Sequence, residues 1–204
     1  MTDGAFPILI DLMRHGQPVG GRRYRGQIDD PLSNDGWMQM RAAVAGLQGW
    51  DAIVTSPLLR CAEFARELGA RLGLPVSEDR RLMEIGFGAW EGLSPGDLDC
   101  VSPGALQRFR RDPAGNRPQG AEVLTDFQQR VHDAWRDLAA GHAHRHVLVV
   151  THAGVIRMVM SIVLGLPCER MFHISVSNAS MTRVRIERDS DGDFPVLVFH
   201  GGRP

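Results

Sequence analysis

Apolar and polar positions alternate along the chain in short blocks. Ile8-Leu9-Ile10-Asp11-Leu12-Met13 is a brief apolar run that ends in Arg14-His15-Gly16, a pattern that suits a buried strand opening into a loop. Ser33 or Asn34 then offers a helix cap ahead of Trp37, Met40, Val44 and Leu47, spaced by three and four. Ala52-Ile53-Val54-Thr55 reads as a second strand, followed by Ser56-Pro57 as N-cap and first helical residue and by Gly73 as the helix stop. Val76 starts a weaker extended segment that leads to Leu82-Met83-Glu84. Between Gly86 and Gly120 the chain is broken by Gly and Pro, and Ser94-Pro95 and Ser102-Pro103 each predict the start of a short helix.

The second half repeats the logic. Leu124, Phe127, Val131, Ala134, Trp135 and Leu138 fall on one face of a helix closed by Gly141. His146 to Thr151 predicts a strand, and His152-Ala153-Gly154 leads from it into an apolar helix ending at Gly165. Met181–Glu187 and Pro195–Phe199 read as a final hairpin turning at Asp191-Gly192. Alternating strand and helix over the first two-thirds predicts a single three-layer αβα domain over residues 1–204. Its central sheet should be mostly parallel, with an antiparallel edge from the C-terminal hairpin.

Composition narrows the classes. Apolar residues make up 43%, charged residues 23%, and the formal net charge is −1, which suits a globular chain and gives no reason to expect nucleic acid or membrane. The run from Val147 to Leu166 nearly has spanning length, but His152 and Arg157 interrupt it. Cys61, Cys100 and Cys168 are far apart and form no CxxC pair, and Met1-Thr2-Asp3-Gly4 opens no signal peptide, so a reduced, cytoplasmic setting is expected. All 23 basic side chains are arginine, with no lysine, a bias attributable to the genome. Individual arginines still matter, because a planar guanidinium grips phosphate with two donors.

In an open α/β sheet, ligands bind beyond the carboxyl ends of the strands. His15 and His152 both fall at such ends, each with a Gly within two residues that lets the chain turn sharply. Taken alone, the Arg-His-Gly triplet is weak: its chance occurrence in a chain of this composition is about one in ten. Its position after the first strand, and the second histidine in an equivalent position, add to it. His142, His144 and His146 form a His-x-His-x-His tract, but no carboxylate or Cys cluster accompanies it, so a loop leading into a strand is the preferred reading over a metal site. Met158 and Met160 read as core.

Four motifs, in order, resemble the histidine phosphatase superfamily, also called the phosphoglycerate mutase-like family. They are Leu12-Met13-Arg14-His15-Gly16, Ser56-Pro57-Leu58-Leu59-Arg60-Cys61-Ala62, Leu82-Met83-Glu84-Ile85-Gly86-Phe87-Gly88-Ala89-Trp90-Glu91-Gly92, and Val150-Thr151-His152-Ala153-Gly154-Val155-Ile156-Arg157. The resemblance implies that His15 attacks phosphorus and becomes phosphohistidine, that Arg14, Arg60 and His152 surround the phosphoryl oxygens, and that Glu84 protonates the leaving alkoxide and later activates water. Glu91 competes with Glu84 for the acid's role, and the motif register favours Glu84. Arg60, with Glu63 nearby, also has the bland reading of a solvated helix face. Arg22, Arg23 and Arg25 either bind an anionic part of the substrate or solvate a loop.

The resemblance further implies a phosphatase that needs no cofactor and no metal. The short chain and Ile85-Gly86-Phe87-Gly88 at the acid loop favour it over a mutase, and the full set of five residues favours it over a non-catalytic phosphohistidine signalling module. Its partner should be a small phosphorylated metabolite, and a homodimer is compatible with the sequence. Arg25–Ser33 and Gly36–Met40 resemble the bacterial α-ribazole phosphatase branch, which removes the 5′-phosphate of α-ribazole phosphate in cobalamin synthesis; broad sugar-phosphate specificity is the alternative.

Overall fold

The computed structural model describes residues 7–140, 146–190 and 192–202. Met1–Gly4, Gly141, His142, His144 and Asp191, all invoked above, lie outside those residues. Six strands form one sheet in the order β3-β2-β4-β1-β5-β6. They are β1 (Ile8–Arg14), β2 (Ala52–Thr55), β3 (Val76–Glu78), β4 (His146–Thr151), β5 (Met181–Asp189) and β6 (Gly192–Gly202). β1, β2, β3 and β4 run parallel, β5 pairs antiparallel with β1, and β6 pairs antiparallel with β5. The result is one α/β domain with a mostly parallel sheet and the expected antiparallel edge.

The central strands are apolar at nearly every position because both faces of the sheet are covered. In β4, Val147 and Val149 join a core with α5 (Leu124–Ala140) and α6 (Ala153–Val163), whereas Leu148 and Val150 join a second core with α1 (Asn34–Ala43) and α2 (Leu59–Leu72). The period-two switch of side chains thus assigns alternate residues to opposite layers. Two short helices, α3 (Pro95–Val101) and α4 (Ala105–Arg111), build a smaller cluster around Trp90, Leu98 and Phe109. No helix among the described residues is long and apolar enough to cross a membrane.

Several element ends follow their sequence signals. Ser33 caps α1, its hydroxyl accepting from the Gly36 N–H, and Gly73 ends α2 in the left-handed region. Ser94 and Asp97 form a reciprocal capping box at α3. Two starts differ from expectation. Ser56 does not cap α2: the chain bends at Pro57 and Leu58, and the helix begins at Leu59. Ser102-Pro103 likewise precedes the start of α4, which follows Gly104. α1 also stops at Ala43, so Val44, although buried, lies past its end.

One polar group interrupts the apolar run of β1. Asp11 is fully buried and accepts from Trp50 Nε1 at 2.8 Å and from Arg183 Nε and Nη2 at 2.7 and 2.8 Å, with His146 Nε2 at 2.9 Å. Burial works against its charge, but the hydrogen bonds from Arg183, His146 and Trp50 prevail and hold its carboxyl down at about 2. Asp11 and Arg183 are register partners across β1 and β5.

Candidate active site

His15 and His152 follow the carboxyl ends of two neighbouring parallel strands, β1 and β4, whose last residues Arg14 and Thr151 are register partners. The His15 N–H donates to the Thr151 carbonyl at 2.9 Å, and the two imidazoles meet edge to face with centroids 5.2 Å apart. Sharp departure from β1 requires a residue without a Cβ. A Cβ on Gly16 would lie 2.3 Å from the carbonyl oxygen of Gly36, at the start of α1.

His15 is almost wholly buried, and its Nδ1 lies 2.7 Å from the Gly16 carbonyl oxygen. A carbonyl accepts and cannot donate, so Nδ1 carries the proton and the lone pair resides on Nε2. Burial first, then the positive charges of Arg60 and Arg14, hold the imidazole well below the usual histidine range. At neutral pH the ring is therefore an uncharged imidazole with a free Nε2 lone pair.

A cleft of about 700 Å³ opens over His15. Seven arginines and a single carboxylate, Glu84, line it. Arg14 and Arg60 belong to its inner end. Arg14 donates to the Val176 carbonyl at 2.6 Å, and Arg60, only 1% exposed, donates to the carbonyls of Ile28 and Gly26 at 2.7 and 2.8 Å. The solvated-face reading of Arg60 is thereby excluded. The Nε–H groups of both guanidiniums are buried and have no acceptor. Burial lowers Arg14 to about 10, with Arg157 and Arg60 acting in the same direction and Glu84 opposing, so it stays cationic at neutral pH.

His152 lies deeper. It is fully buried behind His15, does not line the cleft, and its Nε2 is 2.8 Å from Ser56 Oγ. Burial first, then Arg60 and His15, depress its basicity as well. Ser56 is thus withdrawn from helix capping by its contact with His152. Cys61 packs against the same ring at 3.7 Å, and burial pushes its thiol well above the ordinary range, leaving it protonated.

Glu84 reaches the cleft from the loop after the 3₁₀ turn Arg80–Leu82. Its Oε1 accepts from the Ile85 N–H at 3.0 Å, and its Oε2 accepts from the Gly154 N–H in the first turn of α6 at 3.2 Å. A Cβ on Gly154 would stand 2.2 Å from Glu84 Oε1, so a side chain there would push the carboxylate aside. Arg130 of α5 clamps the loop from behind, donating to the carbonyls of Arg81, Met83 and Glu84 at 2.6, 2.7 and 3.1 Å. Its guanidinium also pairs with Glu122, which accepts from the Gly86 N–H at 3.1 Å. Glu91 does not line the cleft; it accepts from the Phe87 and Gln27 N–H groups and ties two loops together.

The loop arginines divide. Arg25 is buried, pairs with Asp30 at 2.9 Å, and donates to the carbonyls of Val19 and Gly21, so it organises the loop. Arg22 and Arg23 are exposed at the rim. Phe87 forms part of the wall, whereas Trp90 packs behind it against Phe109 with centroids 5.2 Å apart. Sequence reasoning had not singled out Tyr24, Arg110 and Arg157, which also line the cleft. Arg157 lay inside the His152 motif, five residues on. Arg110 carried no signal that separated it from Arg108 and Arg111. Among the described residues, no group of three or more His, Cys, Asp or Glu side chains is arranged to hold a metal ion.

Residues 10–193 match the family model described as histidine phosphatase superfamily (branch 1). The glucosyl-3-phosphoglycerate phosphatase of Mycolicibacterium vanbaalenii is 35% identical over 194 residues, covering 89% of this chain and 86% of that protein. The native structure of a mycobacterial glucosyl-3-phosphoglycerate phosphatase superposes with a TM-score of 0.85 at 31% identity, over 97% of this chain and all of the other. A putative α-ribazole-5′-phosphate phosphatase of Escherichia coli superposes with a TM-score of 0.82 at 26% identity, over 96% and 97%.

Proposed function

The chain belongs to the histidine phosphatase superfamily and is a phosphatase of that family; we propose that it hydrolyses a small phosphorylated metabolite through a phosphohistidine on His15. The observation that carries this reading is the juxtaposition of a neutral imidazole, its Nδ1 proton fixed by Gly16, with two buried guanidiniums whose Nε–H donors lack acceptors.

In the first step the Nε2 lone pair of His15 attacks phosphorus and the ester P–O bond breaks. Its electron pair passes to the leaving oxygen, which takes a proton from the Glu84 carboxyl group. In the second, Glu84 removes a proton from water, the water oxygen attacks phosphorus, and the N–P bond breaks to restore the lone pair on Nε2. Arg14 and Arg60 stabilise charge on the equatorial phosphoryl oxygens in both steps. His152, tied to Ser56, backs the nucleophile from the buried side, and its own contact with a phosphoryl oxygen requires the ring to reach past His15.

α-Ribazole 5′-phosphate remains one candidate substrate, supported by the loop from Arg25 to Ser33 and by likeness to the E. coli protein. Glucosyl-3-phosphoglycerate is the other, supported by the higher identity of the mycobacterial relatives. Acid-stable quenching is unsuitable for a phosphoramidate, so the intermediate should be trapped at alkaline pH with ³²P-labelled substrate. Label retained by the wild type and absent from His15→Ala is the expected result. Equal phosphatase activity in the two proteins would refute the nucleophile. A steady-state panel of both candidates and common sugar phosphates ranks the substrates.

A further inference from the structure

The cleft holds more positive charge than a phosphoryl group needs. A phosphomonoester dianion is matched by Arg14 and Arg60 at the inner end, and Arg25 is already paired with Asp30. Arg22, Arg23, Arg110 and Arg157 remain, and among the described residues none of these four forms an ion pair with a carboxylate. Arg22 and Arg23 sit on an exposed loop, where solvent screens them. Arg110 is exposed as well, but it and Arg157 are held by secondary structure: Arg110 lies in the last turn of α4 and Arg157 in α6.

Arg157 is half-buried. Its Nε donates to the Ile174 carbonyl at 2.8 Å and its guanidinium lies over the Phe172 ring at 5.6 Å, fixing its plane. Burial lowers its basicity; Glu84 opposes this, and nearby Arg110 adds to it. Tyr24 belongs to the same group: the Arg110 charge acts on its hydroxyl, and its ring stacks edge to face on Phe87 at 5.4 Å. The two guanidiniums line the same cleft and repel one another; Glu84 offsets part of the charge at Arg157, but among the described residues no carboxylate forms an ion pair with either. Such an arrangement is stable beside an anion, and bidentate charge-assisted hydrogen bonds are what guanidinium offers a carboxylate or a phosphate. The cleft volume of about 700 Å³ leaves room for a leaving group well beyond the phosphoryl position.

We propose that the outer cleft, where Arg110 and Arg157 stand beside Tyr24, is a subsite for a second acidic group on the leaving alcohol. The preferred substrates are then phosphomonoesters of acidic alcohols, with the second anion a carboxylate or a phosphate. This rests on the phosphatase reading above and sharpens it. A leaving group without an acid, such as the neutral riboside of α-ribazole 5′-phosphate, leaves Arg110 and Arg157 uncompensated.

Matched esters test the subsite. 3-Phosphoglycerate and glycerol 3-phosphate differ only in a carboxylate against a hydroxymethyl group, and glycerol 1,3-bisphosphate adds a phosphate to the same frame. In the wild type, kcat/KM for at least one of the two acidic esters should exceed that for glycerol 3-phosphate by about tenfold or more, and whichever acid is favoured identifies the anion. Arg110→Leu, at an exposed helix end, and Arg157→Gln should each shrink that ratio, and the double variant should bring it near one. Melting curves identify any variant that fails to fold, and Arg110→Leu then carries the comparison alone. Hydrolysis of all three esters at similar kcat/KM would overturn the subsite and leave the phosphatase standing. So would a preference that survives in the variants. If no ester is turned over, p-nitrophenyl phosphate included, the phosphatase reading falls and the subsite with it.

Discussion

Nδ1 of His15 lies 2.7 Å from the carbonyl oxygen of the next residue, Gly16. The nucleophile's tautomer is therefore set by its own main chain, and no second side chain is needed to present the lone pair on Nε2. His15→Ala should lower kcat by about 10³-fold or more while the fold is kept. In ¹⁵N-resolved spectra of the wild type, the His15 ring should appear as the Nδ1–H tautomer at pH 7; an Nε2–H signal would contradict the assignment.

Acidification should cost both activity and stability through the two buried histidines. Each has its folded basicity depressed, so between the ordinary value near 6.5 and the lower folded value only the unfolded chain takes up the proton. Stability then falls as pH drops below about 6.5, by about 1 kcal/mol for each histidine at pH 5.5. Urea melts at pH 7.5 and 5.5 check this, and His15→Ala should lose less on acidification than the wild type does. The acid limb of kcat/KM, corrected for ionisation of the substrate's own phosphate, should also lie below pH 6.5.

In the middle of β1, Asp11 predicts a separate acid transition. Its carboxyl is held at about 2 against an ordinary 3.8, so its contribution is present above 3.8 and lost as pH falls towards 2. That contribution is about 2 kcal/mol. Asp11→Ala, which strands Arg183 and His146, should destabilise the fold by about 3 kcal/mol in denaturant melts at pH 7. Activity per folded molecule should stay close to wild type, because Asp11 touches none of the cleft residues.

Glu84 depends on a missing side chain. Gly154→Ala would place a methyl group 2.2 Å from Oε1 and displace the carboxylate. A loss of about 10²-fold in kcat is expected, with little change in melting temperature. The loss should be smaller for esters with acidic leaving groups such as p-nitrophenyl phosphate, which need no proton on departure. Equal losses for both kinds of ester would argue against Glu84 as the proton donor.

Arg130→Leu should loosen the same carboxylate from behind. It removes the donors to the Arg81, Met83 and Glu84 carbonyls and leaves Glu122 without its cation. About 3 kcal/mol of stability should be lost. kcat should fall more than KM rises, since Arg130 does not line the cleft.

Much of this was legible in the sequence, for local reasons. The runs ending at Arg14 and Thr151 announce strands because central parallel strands are apolar on both sides, and the histidines follow directly. Helix starts were less legible where a side chain had a tertiary use. Ser56-Pro57 carries a cap signal, yet the hydroxyl meets His152, 96 residues away, and the helix begins three residues later. Asp11 is one polar residue in an apolar strand, and its partners Trp50, His146 and Arg183 come from three other parts of the chain. Arg110 and Arg157 share a wall only because α4 and α6 both pack against the turn Cys168–His173; nothing local distinguishes them from other arginines in a chain so rich in them.

Every cation lining the cleft is a guanidinium, in a chain with no lysine side chain at all. Reagents and modifications aimed at side-chain amines, among them acetylation, carbamylation and Schiff-base formation with aldehydes, therefore have no target in it. The charge that gathers the substrate is out of reach of acyl-donor regulation, and amine-directed labels or surface immobilisation should leave turnover intact where an arginine-selective dicarbonyl abolishes it.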